Sequence, residues 1–265
     1  MTPIYKEYCQ FLNDMTKDPP DELSQIQEGY FWLDNSIIKA FDKQGNEHKI
    51  LRIKIDDNLK FVELKILKRG YSKLRDIDLA SWEELLELHR EHLLDLESKS
   101  IQLINDKLSK FSDYTPLIPV STGKDSMIVE HLVRQVKPDT HAVFNNTTLD
   151  CADTYTMVRN IENCTIMTPK EGFYQYIDRV KMIPNRLARF CCRIFKVGEM
   201  VNQLDKDTKY LMFLGMRNQE SDGRSSYGDE WVNATEWGET AWQGILPIRE
   251  WSELDVWLYT LMRDL

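Results

Sequence analysis

Pro119-Val120-Ser121-Thr122-Gly123-Lys124-Asp125-Ser126 joins an apolar run, Thr115 to Val120, directly to an amphipathic segment, Ser126 to Val136. A strand that turns sharply into a helix leaves backbone N–H groups free at the helix start, beside the positive end of its dipole, so such a junction suits an anion. Gly123 lets the main chain approach a ligand, Lys124 supplies a full charge, and Ser121 and Ser126 supply hydroxyls. Asp125 is placed to orient the loop or, through water, a magnesium ion. The stretch is not a Walker A loop, because Ile118 stands five positions before Gly123 and Lys124 is followed by an acid. Taken alone, six polar residues before a helix read equally well as an ordinary turn, so the surroundings have to decide.

Those surroundings alternate. After Thr115–Val120 and Ser126–Val136 come an apolar run at His141–Asn145, a helical one at Thr154–Asn160, and further strands at Asn163–Met167 and Tyr210–Gly215. Strand and helix in alternation predict a doubly wound, mainly parallel sheet covered by helices, an α/β fold. Thr168, Pro169 and Glu171 read as the cap and first turn of another helix. Upstream, Ser81 and Glu84 fit a capping box, and apolar residues at Trp82, Leu85, Leu86, Leu93, Leu96, Ile101, Ile104 and Leu108 predict one long helix. His89 and His92 lack the spacing of a metal-binding helix and take no role.

The first third has a different texture. A short helix ends at Lys17-Asp18-Pro19-Pro20, and a strand is expected within Tyr30–Phe41. Ile50–Ile55 and Phe61–Ile66 then form a hairpin across Asp56-Asp57-Asn58. The expected division is a small N-terminal α+β module over 1–78 and the loop-bearing domain over 79–265.

A length of 265 residues with 42% hydrophobic content supports one sizeable core and a small extra module. The formal charge of -9 argues against a broad nucleic-acid footprint and confines any anion site to a local patch. No run approaches a membrane span and the N-terminal residues do not read as a secretory signal, so a cytoplasmic setting is expected. Five cysteines, Cys9, Cys151, Cys164, Cys191 and Cys192, do not pair into a secreted framework.

Three further clusters stand downstream of the loop. Phe144-Asn145-Asn146-Thr147-Thr148-Leu149-Asp150, with Asp153-Thr154, follows the second strand, where ligands bind in doubly wound sheets; each residue reads equally well as a turn former or helix cap. Arg186-Leu187-Ala188-Arg189-Phe190-Cys191-Cys192-Arg193-Ile194-Phe195-Lys196 is the most basic part of an acidic chain, and its cations favour a thiolate at Cys191 or Cys192. Gly215-Met216-Arg217-Asn218-Gln219-Glu220-Ser221 with Arg224 brings a fork-shaped donor to a strand end.

Together with Pro247-Ile248-Arg249-Glu250-Trp251 and Asp255-Val256-Trp257, these segments resemble, in order, the motifs of the phosphoadenosine phosphosulfate reductase family within the PP-loop superfamily. The likeness runs from about Leu117 to Trp257. It implies an adenine nucleotide alpha-hydrolase-like fold and an adenine nucleotide, ATP or phosphoadenosine phosphosulfate, held by Ser121, Thr122, Gly123, Lys124, Asp125 and Ser126. Asn145, Asn146, Thr147, Arg193, Lys196, Gly215, Arg217, Glu220 and Arg224 are the further binding residues it implies. Thr122 and Thr148 stand where the family has glycine; at Thr122 a β-branched residue is strained if the position takes a positive φ. Cysteine spacing argues against an iron–sulfur cluster, because no Cys-x-x-Cys pair exists, and Cys151 and Cys164 are expected to be buried or partly buried thiols.

Two reactions follow from the resemblance, and a third possibility stands beside them. In the first, ATP is cleaved to AMP and pyrophosphate to activate an acceptor in sulfur transfer, with Lys124, Asp125 and Arg217 as the catalytic group and Asp125 placing magnesium. A sulfur donor protein and a nucleic-acid acceptor contacted through a local basic patch would be its partners. In the second, an adenylyl sulfate is reduced with release of sulfite, using Cys191 or Cys192. The family's Glu-Cys-Gly tail has no counterpart before Leu265, which is why the first stands ahead. The third is a non-catalytic nucleotide-binding subunit of a larger assembly.

Overall fold

The computed structural model describes residues 1–15, 28–55, 61–66, 77–185, 189–220, 228–232 and 242–265. The chain folds as two compact units, one of Met1–Leu94 with Glu253–Asp264 and one of Asp95–Ser252 with Leu265. The 1–78 module lies wholly inside the first unit, which extends it to Leu94 and adds the last helix.

In the first unit, β1 (Thr2–Pro3), β2 (Phe31–Asp34), β3 (Ile37–Phe41), β4 (Glu47–Ile55) and β5 (Phe61–Ile66) form an antiparallel sheet in sequence order, with α1 (Lys6–Met15) between the first two strands in the chain. The single strand expected within Tyr30–Phe41 is a hairpin. Asp34 pairs with Ile37, so Asn35 and Ser36 form a two-residue turn, and Asn35 adopts a φ of 55° that asparagine tolerates better than most residues. The hairpin of β4 and β5 is as expected, while Asp56-Asp57-Asn58 and Lys17-Asp18-Pro19-Pro20 lie outside the described residues. Ile4, Phe31, Ile38, Ala40, Ile50, Leu51 and Ile53 make the core of this sheet.

Ser81 closes the capping box predicted for the long helix α2 (Trp82–Lys110): the Glu84 N–H donates to Ser81 Oγ at 3.1 Å, and the Ser81 N–H donates to Glu84 Oε2 at 2.9 Å. The last helix, α7 (Glu253–Arg263), carries Asp255, which is buried and lies 3.1 Å from His92 Nε2. His92 thus has a structural partner.

The second unit holds β6 (Thr115–Val120), α3 (Lys124–Val136), β7 (His141–Asn145), α4 (Ala152–Asn160), β8 (Cys164–Met167), α5 (Phe173–Val180), α6 (Gly198–Gln203), β9 (Tyr210–Phe213), β10 (Glu230–Trp231) and β11 (Trp242–Ile245). Its sheet runs β10-β11-β9-β6-β7-β8, parallel throughout except for β10. Leu117, Val143 and Met212 pack with Val197 and Met200 of the α6 region on one face. The alternate residues Ile118, Val120, Leu211 and Phe213 are equally buried, and α3 contributes buried Ile128, Val129, Leu132 and Val133. The α/β, doubly wound, mainly parallel architecture is therefore present.

One expected helix start moves. Thr168 does not open a helix; α5 begins at Phe173, with the Gly172 N–H donating to Gln175 Oε1 (3.0 Å) and the Phe173 N–H to Thr148 Oγ1 (2.8 Å). A tertiary hydroxyl, invisible to local spacing, sets this start. The motif around Trp251 is architectural: its indole N–H donates to Ser100 Oγ at 3.2 Å, and that hydroxyl donates to the Pro247 carbonyl at 2.8 Å.

The chain leaves β6 for β7 and β8 on one side, then returns to β9 on the other, so the order reverses at the carboxyl ends of β6 and β9. Open α/β sheets bind ligands at such a switch point. The two strand ends meet there through Gly215: a Cβ on it would lie 2.8 Å from the Asp125 carbonyl carbon and oxygen and 2.9 Å from the Ser126 nitrogen. Backbone cannot yield as a flexible side chain can. Gly215→Ala is expected to destabilise the protein by about 1–3 kcal/mol, the usual cost of overpacking, read as a lowered urea midpoint with unchanged m-value.

Candidate anion site at the switch point

Ser121 and Ser126 close the loop on itself. The Ser121 N–H donates to Ser126 Oγ (3.2 Å), the two hydroxyl oxygens lie 3.2 Å apart, and the Ser126 hydroxyl donates to the Gly123 carbonyl (2.8 Å). Gly123 is the N-cap of α3, and no side chain caps the helix, which leaves first-turn N–H groups to face a ligand.

The loop's conformational burden falls on Thr122, not on Gly123. Thr122 has φ 57°, whereas Gly123 has an ordinary extended backbone, φ -76° and ψ 148°. Thr148, at the other position where glycine was expected, also has positive φ, 62°. A left-handed conformation costs a β-branched residue roughly 1–2 kcal/mol. At Thr148 part of this is offset by the hydroxyl that accepts from Phe173 and by the Thr148 N–H donating to Asn146 Oδ1 at 2.8 Å.

Two cations converge on Asp125. Lys124 Nζ lies 3.1 Å from Asp125 Oδ2, and Arg217 Nε pairs with Asp125 Oδ1. Arg217 is 3% exposed, and its backbone N–H donates to Glu220 Oε2 at 2.9 Å. Gly215 and Arg217 thus stand beside the loop, although 93 sequence positions separate Lys124 from Arg217. Both carboxylate oxygens of Asp125 are engaged by cations, so in this structure the residue anchors Lys124 and Arg217.

At the end of β7 the expected ligands divide. Asn146 Oδ1 accepts from Tyr155 (2.7 Å) and Thr148, and its amide donates to Thr168 Oγ1 (3.3 Å). Thr147 donates from both its N–H (3.2 Å) and its hydroxyl (2.8 Å) to Asp150 Oδ2. These two residues build the turn. Asn145 is different: both polar atoms of its side chain are buried, and neither has a partner among the described residues.

The basic cluster forms a π-helical turn, Cys192–Lys196, whose Phe195 packs on Phe173 and Tyr176 of α5 at ring separations of 5.3 and 5.6 Å. Arg193 and Lys196 are exposed, Cys191 and Cys192 are half-buried, and Arg189 lies 3.8 Å from Cys192 Sγ. Arg186 and Arg224 lie outside the described residues.

Cys151 departs from expectation. It is exposed at the N-cap of α4, with Sγ 3.4 Å from Thr154 Oγ1. The Thr154 hydrogen bond and the neighbouring backbone N–H groups lower its thiol pKa, whereas burial raises those of Cys9 and Cys164. Its place at a helix start was the available sequence signal.

Fold and loop define an α/β protein with a candidate anion site at its switch point, made of the uncapped start of α3 and the cations on Asp125. Residues 115–265, more than half of the chain, match the phosphoadenosine phosphosulfate reductase domain model, and the chain belongs to that family. An adenosine 5'-phosphosulfate reductase from Shouchella clausii (strain KSM-K16) is 22% identical over 155 residues, covering 55% of this chain and 61% of its own. One from Geobacillus sp. (strain WCH70) is 28% identical over 156 residues, covering 55% and 62%. The chain therefore spans about three-fifths of these relatives. Among solved structures, the phosphoadenylyl-sulfate (PAPS) reductase from Candida auris in a phosphate complex aligns with a TM-score of 0.49 at 15% identity, over 66% of this chain and 87% of that one. No helix among the described residues is long and apolar enough to cross a membrane.

Two outcomes are expected. Thr122→Gly removes about 1–2 kcal/mol of strain and adds about 0.5–1 kcal/mol of unfolded-state entropy, so a net gain of up to ~1.5 kcal/mol should appear as a raised thermal midpoint. Limited iodoacetamide treatment followed by peptide mass spectrometry should label Cys151 before Cys9 and Cys164, because alkylation follows exposure and thiolate fraction.

Proposed function

We propose that this chain is an enzyme that holds the phosphates of an adenine nucleotide in the Ser121–Ser126 loop and stabilises the anion released when a bond at those phosphates breaks. The convergence of Lys124 and Arg217 on Asp125, at the uncapped start of α3, carries this reading. Preorganised cations and N–H groups stabilise developing negative charge without reorganising when it forms. Asp125 keeps both cations in place, and an arriving phosphate competes with its carboxylate for them.

The first reading of the reaction is cleavage of an adenylyl sulfate, in keeping with the names of the relatives. A thiolate attacks the sulfate sulfur, the sulfur–oxygen bond to the phosphate breaks, and the nucleotide leaves with that oxygen; a second thiol then releases sulfite and leaves a disulfide. Cys191, Cys192 or a partner protein's thiols would be the reductants, with Arg193 and Lys196 as contacts for the sulfonate. The second reading is favoured by the likeness of Ser121–Ser126 to pyrophosphate-binding loops. There ATP is cleaved between its α and β phosphates, an acceptor oxygen takes the adenylyl group, and pyrophosphate leaves. Sulfur from a donor protein then attacks the activated atom of the acceptor, the bond to the adenylylated oxygen breaks, and AMP leaves with that oxygen. A cytoplasmic setting suits either reaction.

Calorimetric titration of ATP, adenosine 5'-phosphosulfate and phosphoadenosine phosphosulfate into wild type and Lys124→Ala tests the site. Binding should weaken about tenfold or more in the variant, as loss of one charged contact implies. Preference for a phosphosulfate, with sulfite formed on adding thiols, selects the first reaction, and preference for ATP, with pyrophosphate formed, the second. Binding of none of the three would overturn the proposal.

A further inference from the structure

Asn145 stands at the last position of β7, one residue beyond the Phe144 that pairs with Val120, and so beside the start of the phosphate loop. It lies two positions after Val143 and therefore on the sheet face that α6 covers. Each polar atom of its amide exposes less than 1 Å² to solvent and has no hydrogen-bond partner among the described residues. A buried amide left in that condition costs free energy at both ends, and native proteins retain such groups where something else completes them. Its neighbours Asn146 and Thr147 are satisfied within the turn, so the unmet capacity at this strand end is concentrated in one side chain.

We propose that the Asn145 amide reads the nucleotide base, pairing its donor and acceptor with the complementary acceptor and donor on one edge of adenine. The proposal rests on the phosphate-loop reading above and adds the residue that decides which nucleotide is taken. An asparagine amide matches the adjacent N7 acceptor and N6 donor of adenine, whereas guanine presents two acceptors on that edge. The residue as a whole is only half-buried, and it stands at the carboxyl end of β7, the edge at which open α/β sheets hold their ligands.

The test uses the full chain, with ATP, GTP and inorganic tripolyphosphate titrated into wild type, Asn145→Leu and Asn145→Ala, and thermal midpoints measured without ligand. Leucine is close in size to asparagine and has no polar group to bury. Asn145→Leu should therefore raise the midpoint of the free protein while weakening ATP about tenfold or more, to the level of GTP, with tripolyphosphate affinity unchanged. Asn145→Ala should lose the same preference whatever its midpoint, which keeps the proposal open to refutation if the leucine variant fails to fold. An unchanged ratio of ATP to GTP affinity in a folded variant overturns the assignment and leaves the amide to a buried water. Failure of the wild type to bind tripolyphosphate overturns the phosphate-loop reading, and this proposal with it; binding of tripolyphosphate without preference for ATP overturns this proposal alone.

Discussion

Everything at the candidate site depends on how closely the end of β9 approaches the start of α3. Gly215 lies against the carbonyl of Asp125 and the nitrogen of Ser126 with no room for a methyl group. Because the backbones touch, Arg217, two residues further on, meets Asp125 through the carboxylate oxygen that Lys124 leaves open. Two cations held near one carboxylate are each attracted to it, and the Asp125 carboxylate between them offsets their mutual repulsion in a largely buried setting. The glycine, the buried arginine and the acid meet at this one approach of β9 to α3.

Two threonines work against the local energetics of the same edge. Thr122 and Thr148 occupy left-handed conformations in the loops after adjacent strands. Thr148 has a tertiary use, because its hydroxyl anchors the first N–H of α5 and so sets where that helix begins. Thr122 has no comparable hydroxyl contact among the described residues. Strained residues persist where the surrounding structure over-determines them, and here the closed hydrogen bonding between Ser121, Gly123 and Ser126 does so.

Cysteine chemistry is distributed rather than clustered. Cys9 and Cys164 are held back by burial, Cys191 and Cys192 lie half-buried on a π-helical turn beside Arg189, and Cys151 is exposed with its thiolate favoured by Thr154. The adjacent pair stands out in the sequence because it sits among cations, yet the thiol most open to solvent-borne reagents is the isolated one at a helix start.

Much of this protein was legible without coordinates. Periodicity and capping residues located α2 to within a residue of its start, the strands β6 and β7 at their observed limits, and the junction between β6 and α3, because each rests on interactions within a few positions of chain. The order of motifs identified the family for the same reason: spacing along a loop survives as spacing in sequence. What tertiary structure alone decided are the relations between distant segments. Asp125 is shared by Lys124 and Arg217, α5 starts at Phe173 because of Thr148, Asn146 is spent on Tyr155 and Thr168, and Asn145 is left without a partner among the described residues. Hydrogen bonds and charges are settled by which groups meet, and a sequence specifies the groups without displaying the meeting.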